Sequence, residues 1–356
     1  MGTDTSTETT RWDLIVIGAG PTGLATAIEA EKLGISTLVI EKGCLVNSIF
    51  HYPTSMVFFT TSERLEIGDI PMTAASAKPT RLEALAYYRK VAQHYKLNVH
   101  QYERVERLEG GSGGFCVQTK HANGRSASYA ARKLVIATGY YDLPNRLGVP
   151  GEEQPNVFHY YKEAHPFAGS RVVVIGGKNS AVDAALELFR HGAQVTLVYR
   201  RPQLSSSVKY WVRPDIENRI KAGEIAARLG YQVLEIEPDA VRIAPLGESG
   251  GEPAGGERLP ADFVFALIGY HLDFNFLEAA GVRFQADHQR PICDPQTCES
   301  NVPGLYLAGV VVGGRQTGEI FIENGRFHGK IIAEHVRRQL AKSGAAAVIP
   351  RAGSRS

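Results

Sequence analysis

A chain of 356 residues with 44% apolar content exceeds one ordinary core and suits two domains of typical size. Its 39 basic and 37 acidic residues are interspersed and nearly cancel, at a formal charge of +2, which excludes the one-signed field of a nucleic-acid or anionic-membrane binder. The four scattered cysteines, Cys44, Cys116, Cys293 and Cys298, exclude a disulfide framework, show no metal-type Cys/His spacing and fit a reducing compartment.

Residues 1–11 are polar and Thr-rich, with no apolar stretch of signal-peptide type, and no apolar run is long enough to span a bilayer. The expectation is a cytoplasmic protein with a disordered leader. Leu14 to Ile17 then reads as a buried strand, Thr22 to Leu33 as an amphipathic helix, Gly34 as its stop and Thr37 to Ile40 as the next strand. The same unit returns as Val172 to Ile175, Asn179 to His191, Gly192 and Gln194 to Tyr199. Each copy is a βαβ unit that builds parallel sheet. Ala244 to Glu257 reads as a flexible loop tip between two strands, and Asp262 to Ile268 and Leu305 to Ala308 as further strands. Gly325 to about Leu340 reads as a helix with Phe327 and Ile331 in its first turns, and 343–356 as a loose tail.

That order fits an α/β chain of two Rossmann-like, doubly wound, three-layer nucleotide-binding domains, the second inserted into the first. The outer, discontinuous domain is expected over 12–155 and 280–342 and the inserted domain over 156–279. The crossings are drawn near Val149 to Glu163 and Gly269 to Phe284. Two crossings imply a two-stranded hinge.

Gly18-Ala19-Gly20-Pro21-Thr22-Gly23 follows a strand and opens a helix, the context a dinucleotide fingerprint requires. Gly18 permits the tight turn, Gly20 admits a pyrophosphate and Gly23 lets helix and strand pack closely. The free N–H groups and positive end of the helix then meet the phosphates. Glu41, ending the next strand, is placed to accept hydrogen bonds from a ribose diol, and its charge disfavours a 2′-phosphate.

The second copy, Gly176-Gly177-Lys178-Asn179-Ser180-Ala181, has the same context with Lys178 in the third position, and Asn179 and Ser180 are expected to cap the helix and donate near phosphate. Its following strand ends in Tyr199-Arg200-Arg201, where two guanidiniums can grip a 2′-phosphate, favouring NADPH over NADH.

With both turns placed, residues 12 to about 340 resemble the low-molecular-weight pyridine nucleotide-disulfide oxidoreductases, the class containing thioredoxin reductases. Leu134 to Gly139 looks like that class's Ala-Thr-Gly segment, and Asn301 to Gly309 like the strand that reaches the flavin. No Cys-x-x-Cys occurs beside Ala181-Val182-Asp183 or elsewhere, so the chain departs from thioredoxin reductases. Glu41-Lys42-Gly43, Asn47-Ser48-Ile49, Tyr52-Pro53-Thr54, Phe58-Phe59, Gly176 to Ala185 and Ile320 to Gly325 instead resemble the YpdA-type bacillithiol disulfide reductases, end to end. That resemblance accommodates Lys178, and Val310 where the wider class has an Asp for the ribityl chain. It adds Pro21, Thr22, Lys42, Ser48, Tyr52, Val105, Ala137, Thr138, Gly139, Gly309 and Ile320 to the FAD set, and Ile268 and Gly269 to the NADPH set. It also implies a homodimer.

One departure bears on the chemistry. Where the bacillithiol reductases carry a cysteine beside the flavin phosphates, this chain has Thr22, whose hydroxyl can cap the helix or bond a phosphate but cannot exchange disulfides. Cys44, past the ribose end, is no evident substitute, and the catalytic residue stays unassigned. Cys293 and Cys298 flank Asp294-Pro295-Gln296-Thr297, a four-residue hairpin loop able to bring the sulfurs together. A surface coincidence is the preferred reading, with a redox role as the alternative. His159, His165 and His328 do not mark themselves as a general acid. The expected function is hydride transfer from NADPH to FAD and then to a low-molecular-weight disulfide. The alternatives are a small redox protein such as ferredoxin or flavodoxin as acceptor, or an FAD- and NADPH-binding sensor.

Overall fold

The apolar run that opens each repeat becomes a central parallel strand, because a strand covered by helices on both faces has no polar side to keep. The computed structural model describes residues 11–345 apart from 112, 247–255, 287–288 and 317. The leader before residue 11, most of the 244–257 loop tip and the tail beyond 345 therefore lie outside the described residues.

In chain order come β1 (Arg11–Ile17), α1 (Pro21–Lys32), β2 (Thr37–Ile40), α2 (Asn47–His51), α3 (Arg81–His94), β3 (Val99–His100), β4 (Glu103–Gly111), β5 (Gly114–His121) and β6 (Ser126–Ile136). The inserted stretch holds β7 (Val157–Phe158), β8 (Arg171–Ile175), α4 (Asn179–Arg190), β9 (Gln194–Tyr199), α5 (Arg213–Lys221), β10 (Ala226–Leu229), β11 (Tyr231–Glu237), β12 (Ala240–Pro245), β13 (Glu257–Pro260) and β14 (Phe263–Ala266). The return adds α6 (Phe274–Ala279), β15 (Leu305–Leu307), α7 (Ile322–Gly325) and α8 (His328–Ala345).

The chain divides into two Rossmann-like units. One runs to His51, resumes over Met56–Asp142 and again from Leu272; the other is Leu143–His271 with Tyr52–Ser55. These divisions fall at 142/143 and 271/272, ahead of the 155/156 and 279/280 drawn from the sequence. His271 donates its N–H to the Leu143 carbonyl, and Asn145 bonds Gly269, so the entry and exit strands of the insertion clasp each other just inside those points.

In the first unit the sheet order is β3-β2-β1-β6-β5-β4, with β15 on β6. Leu14, Ile15 and Val16 are fully buried, each such side chain contributing about 1.5–3 kcal/mol. Helix α8 crosses α1 at Gly329, where a Cβ would stand 2.7 Å from the Thr26 nitrogen. The helix expected from Gly325 divides: α7 ends there and α8 begins at His328, leaving Phe327 exposed before it. In the second unit the parallel order is β10-β9-β8-β14-β7, beside the antiparallel sheet β11-β12-β13. The strand expected over 262–268 is regular only over Phe263–Ala266, because Leu267 onward turns into a loop held by Asn145. Among the described residues no helix is long and apolar enough to cross a membrane.

Candidate functional site

At the first turn, Gly18 has φ +105° and a Cβ there would lie 2.6 Å from the Ala137 carbonyl oxygen. A Cβ on Gly23 would lie 1.9 Å from the Gly18 oxygen, so both positions admit only glycine. A Cβ on Gly20 meets nothing within 4 Å, which leaves open space where a pyrophosphate has to approach. Helix α1 starts at Pro21 with Gly20 as N-cap and no side-chain capping bond. Thr22 therefore does not cap the helix; it rides in the first turn, where its N–H and that of Gly23 have no intrahelical acceptor and face outward with the positive helix end. These features fit a dinucleotide phosphate.

The strand ends around this turn are aligned. The N–H groups of Gly18, Ala137 and Ala308 donate to Ile40, Ile17 and Ile136 at 2.8, 2.8 and 3.0 Å, setting β2, β1, β6 and β15 in step, with Thr138 and Gly139 just beyond. Glu41 is buried and bridges two loops: Oε2 accepts the Ala19 N–H and Oε1 the Gly43 N–H, both at 2.8 Å. Burial pushes its carboxyl pKa up and these two bonds partly offset that. Each oxygen retains a second lone pair for a ribose hydroxyl. Lys42 pairs with Asp142 at 2.7 Å. Ser48 sits in α2, which the buried Arg81 fastens by bonds to the Ile49 and Phe50 carbonyls.

Val105 packs in β4 against the apolar core that contains Ile17 and Ile40. Tyr52, grouped with the FAD set from the resemblance, belongs to the second unit, because the Tyr52–Ser55 segment is anchored there by Thr54 to Lys162 and Ser55 to Glu187. Thr22 Oγ1 lies 3.0 Å from the Cβ position of Gly309 and 3.2 Å from that of Gly325, and Ile320 Cγ2 is 3.3 Å from the latter. Thr22, Gly309, Ile320 and Gly325 thus converge. His328, to which the sequence assigned no role, accepts the Gly309 N–H on Nδ1 at 3.1 Å. Burial lowers its pKa, so the ring is neutral with its proton on Nε2.

The second turn is built differently. Gly176, at φ +142°, has the Leu267 oxygen 2.5 Å from its Cβ position, whereas a Cβ on Gly177 would meet the Tyr199 ring at 2.3 Å. Lys178 is the N-cap of α4, with an extended φ of −109° that needs no glycine, and its side chain is exposed. Asn179 and Ser180 do not cap α4. Asn179 instead accepts the Lys209 N–H at 3.0 Å and donates to the Ser207 carbonyl at 2.9 Å, fastening the 205–209 loop beside the turn. Ala181 is buried under Gly176. Arg200 and Arg201 are exposed just past β9, and among the described residues no carboxylate pairs with either. The Gly230 N–H donates to the Tyr199 and Arg201 carbonyls at 2.8 Å and fixes their backbone. Gly269 has φ +95°, and Asn145 Nδ2 holds the Ile268 carbonyl at 3.2 Å.

The remaining candidates separate clearly. Cys44 lies against Asn47 with its pKa raised by burial. His159 sits between Arg146 and Glu152, and His165 in a short turn. The Cys293–Cys298 loop closes one residue later than the sequence suggested: Asp294 N–H donates to Glu299 O at 2.9 Å, so Pro295 to Cys298 form the loop. The shift comes from Cys298, which adopts φ +60° and turns inward, buried. Cys298 is buried and Cys293 half-buried, and the Cys293 thiol donates to the Asp294 carbonyl at 3.8 Å.

The sequence profile of the pyridine nucleotide-disulphide oxidoreductases matches residues 15–309. Bacilliredoxin reductase Bdr of Bacillus subtilis is 44% identical over 330 residues, 91% of this chain and 97% of that protein. The solved structure of bacillithiol disulfide reductase Bdr (YpdA) from Bacillus cereus is 44% identical with a TM-score of 0.88, covering 93% of this chain and 100% of that one. A ferredoxin–NADP reductase of Ignicoccus hospitalis is more distant, 28% identical over 83% of this chain and 89% of that protein. The chain belongs to the pyridine nucleotide-disulphide oxidoreductase family and is an enzyme of it, dependent on FAD and NAD(P)H.

Proposed function

We propose that this enzyme uses NADPH to reduce a low-molecular-weight disulfide of the bacillithiol type. The observation that carries the reading is the 44% identity to bacilliredoxin reductase, spread over 91% of the chain rather than confined to the nucleotide turns. FAD supplies the two-electron store between a hydride donor and a disulfide. The residues around it bind and orient. The first turn of α1 holds the pyrophosphate, and Glu41 offers its remaining lone pairs to the ribose. Arg200 and Arg201, exposed and without an acidic partner among the described residues, are placed to fork onto a 2′-phosphate, which supports NADPH over NADH. His328 steadies Gly309 and keeps a proton on Nε2. Thr22 cannot take part in thiol exchange, so the disulfide is reduced by the flavin directly or by a thiol from elsewhere. Residence in the cytoplasm and pairing as a homodimer belong to the same reading.

The test follows NADPH oxidation by the purified yellow protein with bacillithiol disulfide, with ferredoxin or flavodoxin, and with oxygen alone. Fast turnover with the small disulfide is expected. Turnover with a protein acceptor alone overturns the substrate, and no bleaching of the flavin by NADPH leaves a nucleotide-binding sensor.

A further inference from the structure

His328 engages Gly309 through one ring nitrogen and leaves the other without a task in the fold. Nδ1 accepts the Gly309 N–H at 3.1 Å, which fixes the tautomer by geometry: a nitrogen that accepts carries no proton, so the neutral ring has its proton on Nε2. Among the described residues the Nε2–H has no partner, and neither has the Thr22 hydroxyl, whose oxygen lies 3.0 Å from the Cβ position of Gly309. His335 on the same helix differs, since Nδ1 meets the Tyr306 hydroxyl at 3.0 Å and Nε2 the Gln339 amide at 3.1 Å. The His328 ring is also held from both sides. Two residues before it, Arg326 Nη1 donates to the Glu63 and Glu66 carbonyls at 2.9 and 2.6 Å. One residue after it, Gly329 lies so close to α1 that a Cβ there would stand 2.7 Å from the Thr26 nitrogen. A donor positioned this tightly, on a ring only half-buried, is preorganised for an acceptor that the chain itself does not supply.

Strand order says which half of the dinucleotide reaches that donor. The parallel strands of the first unit end side by side in the order β2, β1, β6, β15. FAD has its ribose diol in the adenosine half, which Glu41 draws to the end of β2, and the turn after β1 takes the pyrophosphate. The other half therefore runs toward the ends of β6 and β15, and Gly309, with His328 bonded to it, lies just past β15. We infer that His328 is a flavin-binding residue, whose Nε2–H donates to an oxygen of the flavin half of FAD, beyond the pyrophosphate. This rests on FAD at the first turn and not on which disulfide the enzyme reduces. Burial favours the neutral ring, so the donor brings no charge to the cofactor and Nδ1 stays available to Gly309.

The test separates the two ring nitrogens in the full-length holoenzyme. A glutamine amide reaches the place of Nε2 and an asparagine amide that of Nδ1, so His328→Gln keeps the donor and drops the Gly309 acceptor, while His328→Asn does the reverse. Serial dilution of each holoenzyme, read by the fluorescence of released flavin, gives its FAD affinity. Displacement of FAD by ADP gives the affinity of the adenosine half with its phosphates. His328→Asn is expected to weaken FAD about tenfold, the loss of one hydrogen bond, with ADP unchanged and His328→Gln close to wild type. If His328→Gln weakens FAD as His328→Asn does, or His328→Asn binds FAD as wild type does, the ring only supports Gly309 and the inference fails. If ADP weakens in step with FAD, the contact is to the pyrophosphate and the inference fails as well. Should His328→Asn not fold, wild type with isotope-labelled histidine decides: the ring N–H signal that His328→Gln removes has to move when ADP is exchanged for FAD, and an unmoved signal overturns the inference. No arm depends on the disulfide, so failure of the proposed function and failure of this inference stay distinguishable.

Discussion

The two nucleotide-binding turns share a strand, a glycine turn and a helix, but their glycines answer to different neighbours. In the first, Gly18 and Gly23 face backbone atoms and Gly20 faces open space. In the second, Gly176 faces backbone, Gly177 faces the Tyr199 ring, and Lys178 lies in extended backbone. In these turns the glycines opposed by backbone serve the fold, the one opposed by nothing leaves room for a ligand, and the one opposed by a side chain can be retuned. This distinction explains why the second turn tolerates a lysine and the first is complete.

The comparison breaks most directly at Gly23→Ala. With a carbonyl oxygen 1.9 Å from the new Cβ, the strain reaches about 3 kcal/mol or more, and the expected result is loss of bound flavin with a lowered Tm. A yellow, equally stable Gly23→Ala protein would refute the backbone argument. Gly20→Ala should instead fold normally and lose only flavin affinity. Next in size is the Arg200→Ala/Arg201→Ala double variant. Losing two charge-assisted bonds of about 1.5 kcal/mol or more each raises the KM for NADPH by at least about 100-fold while leaving that for NADH nearly unchanged; parallel rises dispose of the 2′-phosphate role.

Gly177→Ala displaces a side chain rather than backbone, so its cost is about 1–2 kcal/mol and should be relieved by also replacing Tyr199 with a smaller residue. If the double variant is no more stable than the single, the ring is not what demands glycine there. Lys178→Gly loosens an exposed cap by about 0.5–1 kcal/mol, seen as a small fall in Tm.

The smallest effect is one of pH and belongs to the first turn's surroundings. Burial holds the His328 pKa below the ordinary 6.5, so on acidification the unfolded chain binds a proton before the folded one does. The stability tied to the neutral ring is intact above about pH 6.5 and falls as pH drops from there to the folded-state pKa. His159 and His335 shift the same way. The readout is therefore the difference in melting between wild type and His328→Gln, which should flatten the acid limb. An unchanged acid limb would show that His328 titrates normally.

The sequence made β1, β2, β8 and β9 legible because buried parallel strands are unbroken apolar runs, and made both helices legible because glycines end them. The site was legible only where the ligand groups lie within one βαβ unit. The bond from Ala19 to Glu41 spans 22 residues, that from Lys209 to Asn179 spans 30 and that from Gly309 to His328 spans 19. No local pattern announces such partners, so Asn179 read as a cap and His328 as an ordinary histidine. The one-residue shift of the cysteine loop had a similar origin: it turns on the left-handed backbone of Cys298, a conformation residue type alone does not reveal.

The split first unit has a consequence for the order in which the protein is made. The second unit is nearly continuous in sequence and has all its strands once His271 has emerged from the ribosome. The first lacks β15, the Gly309 contact to Thr22 and the α8 crossing at Gly329 until the last helix is out. Since domains fold as units during synthesis, the second unit is ready first, and a ribosome stalled before α8 leaves α1 without the helix that packs across it.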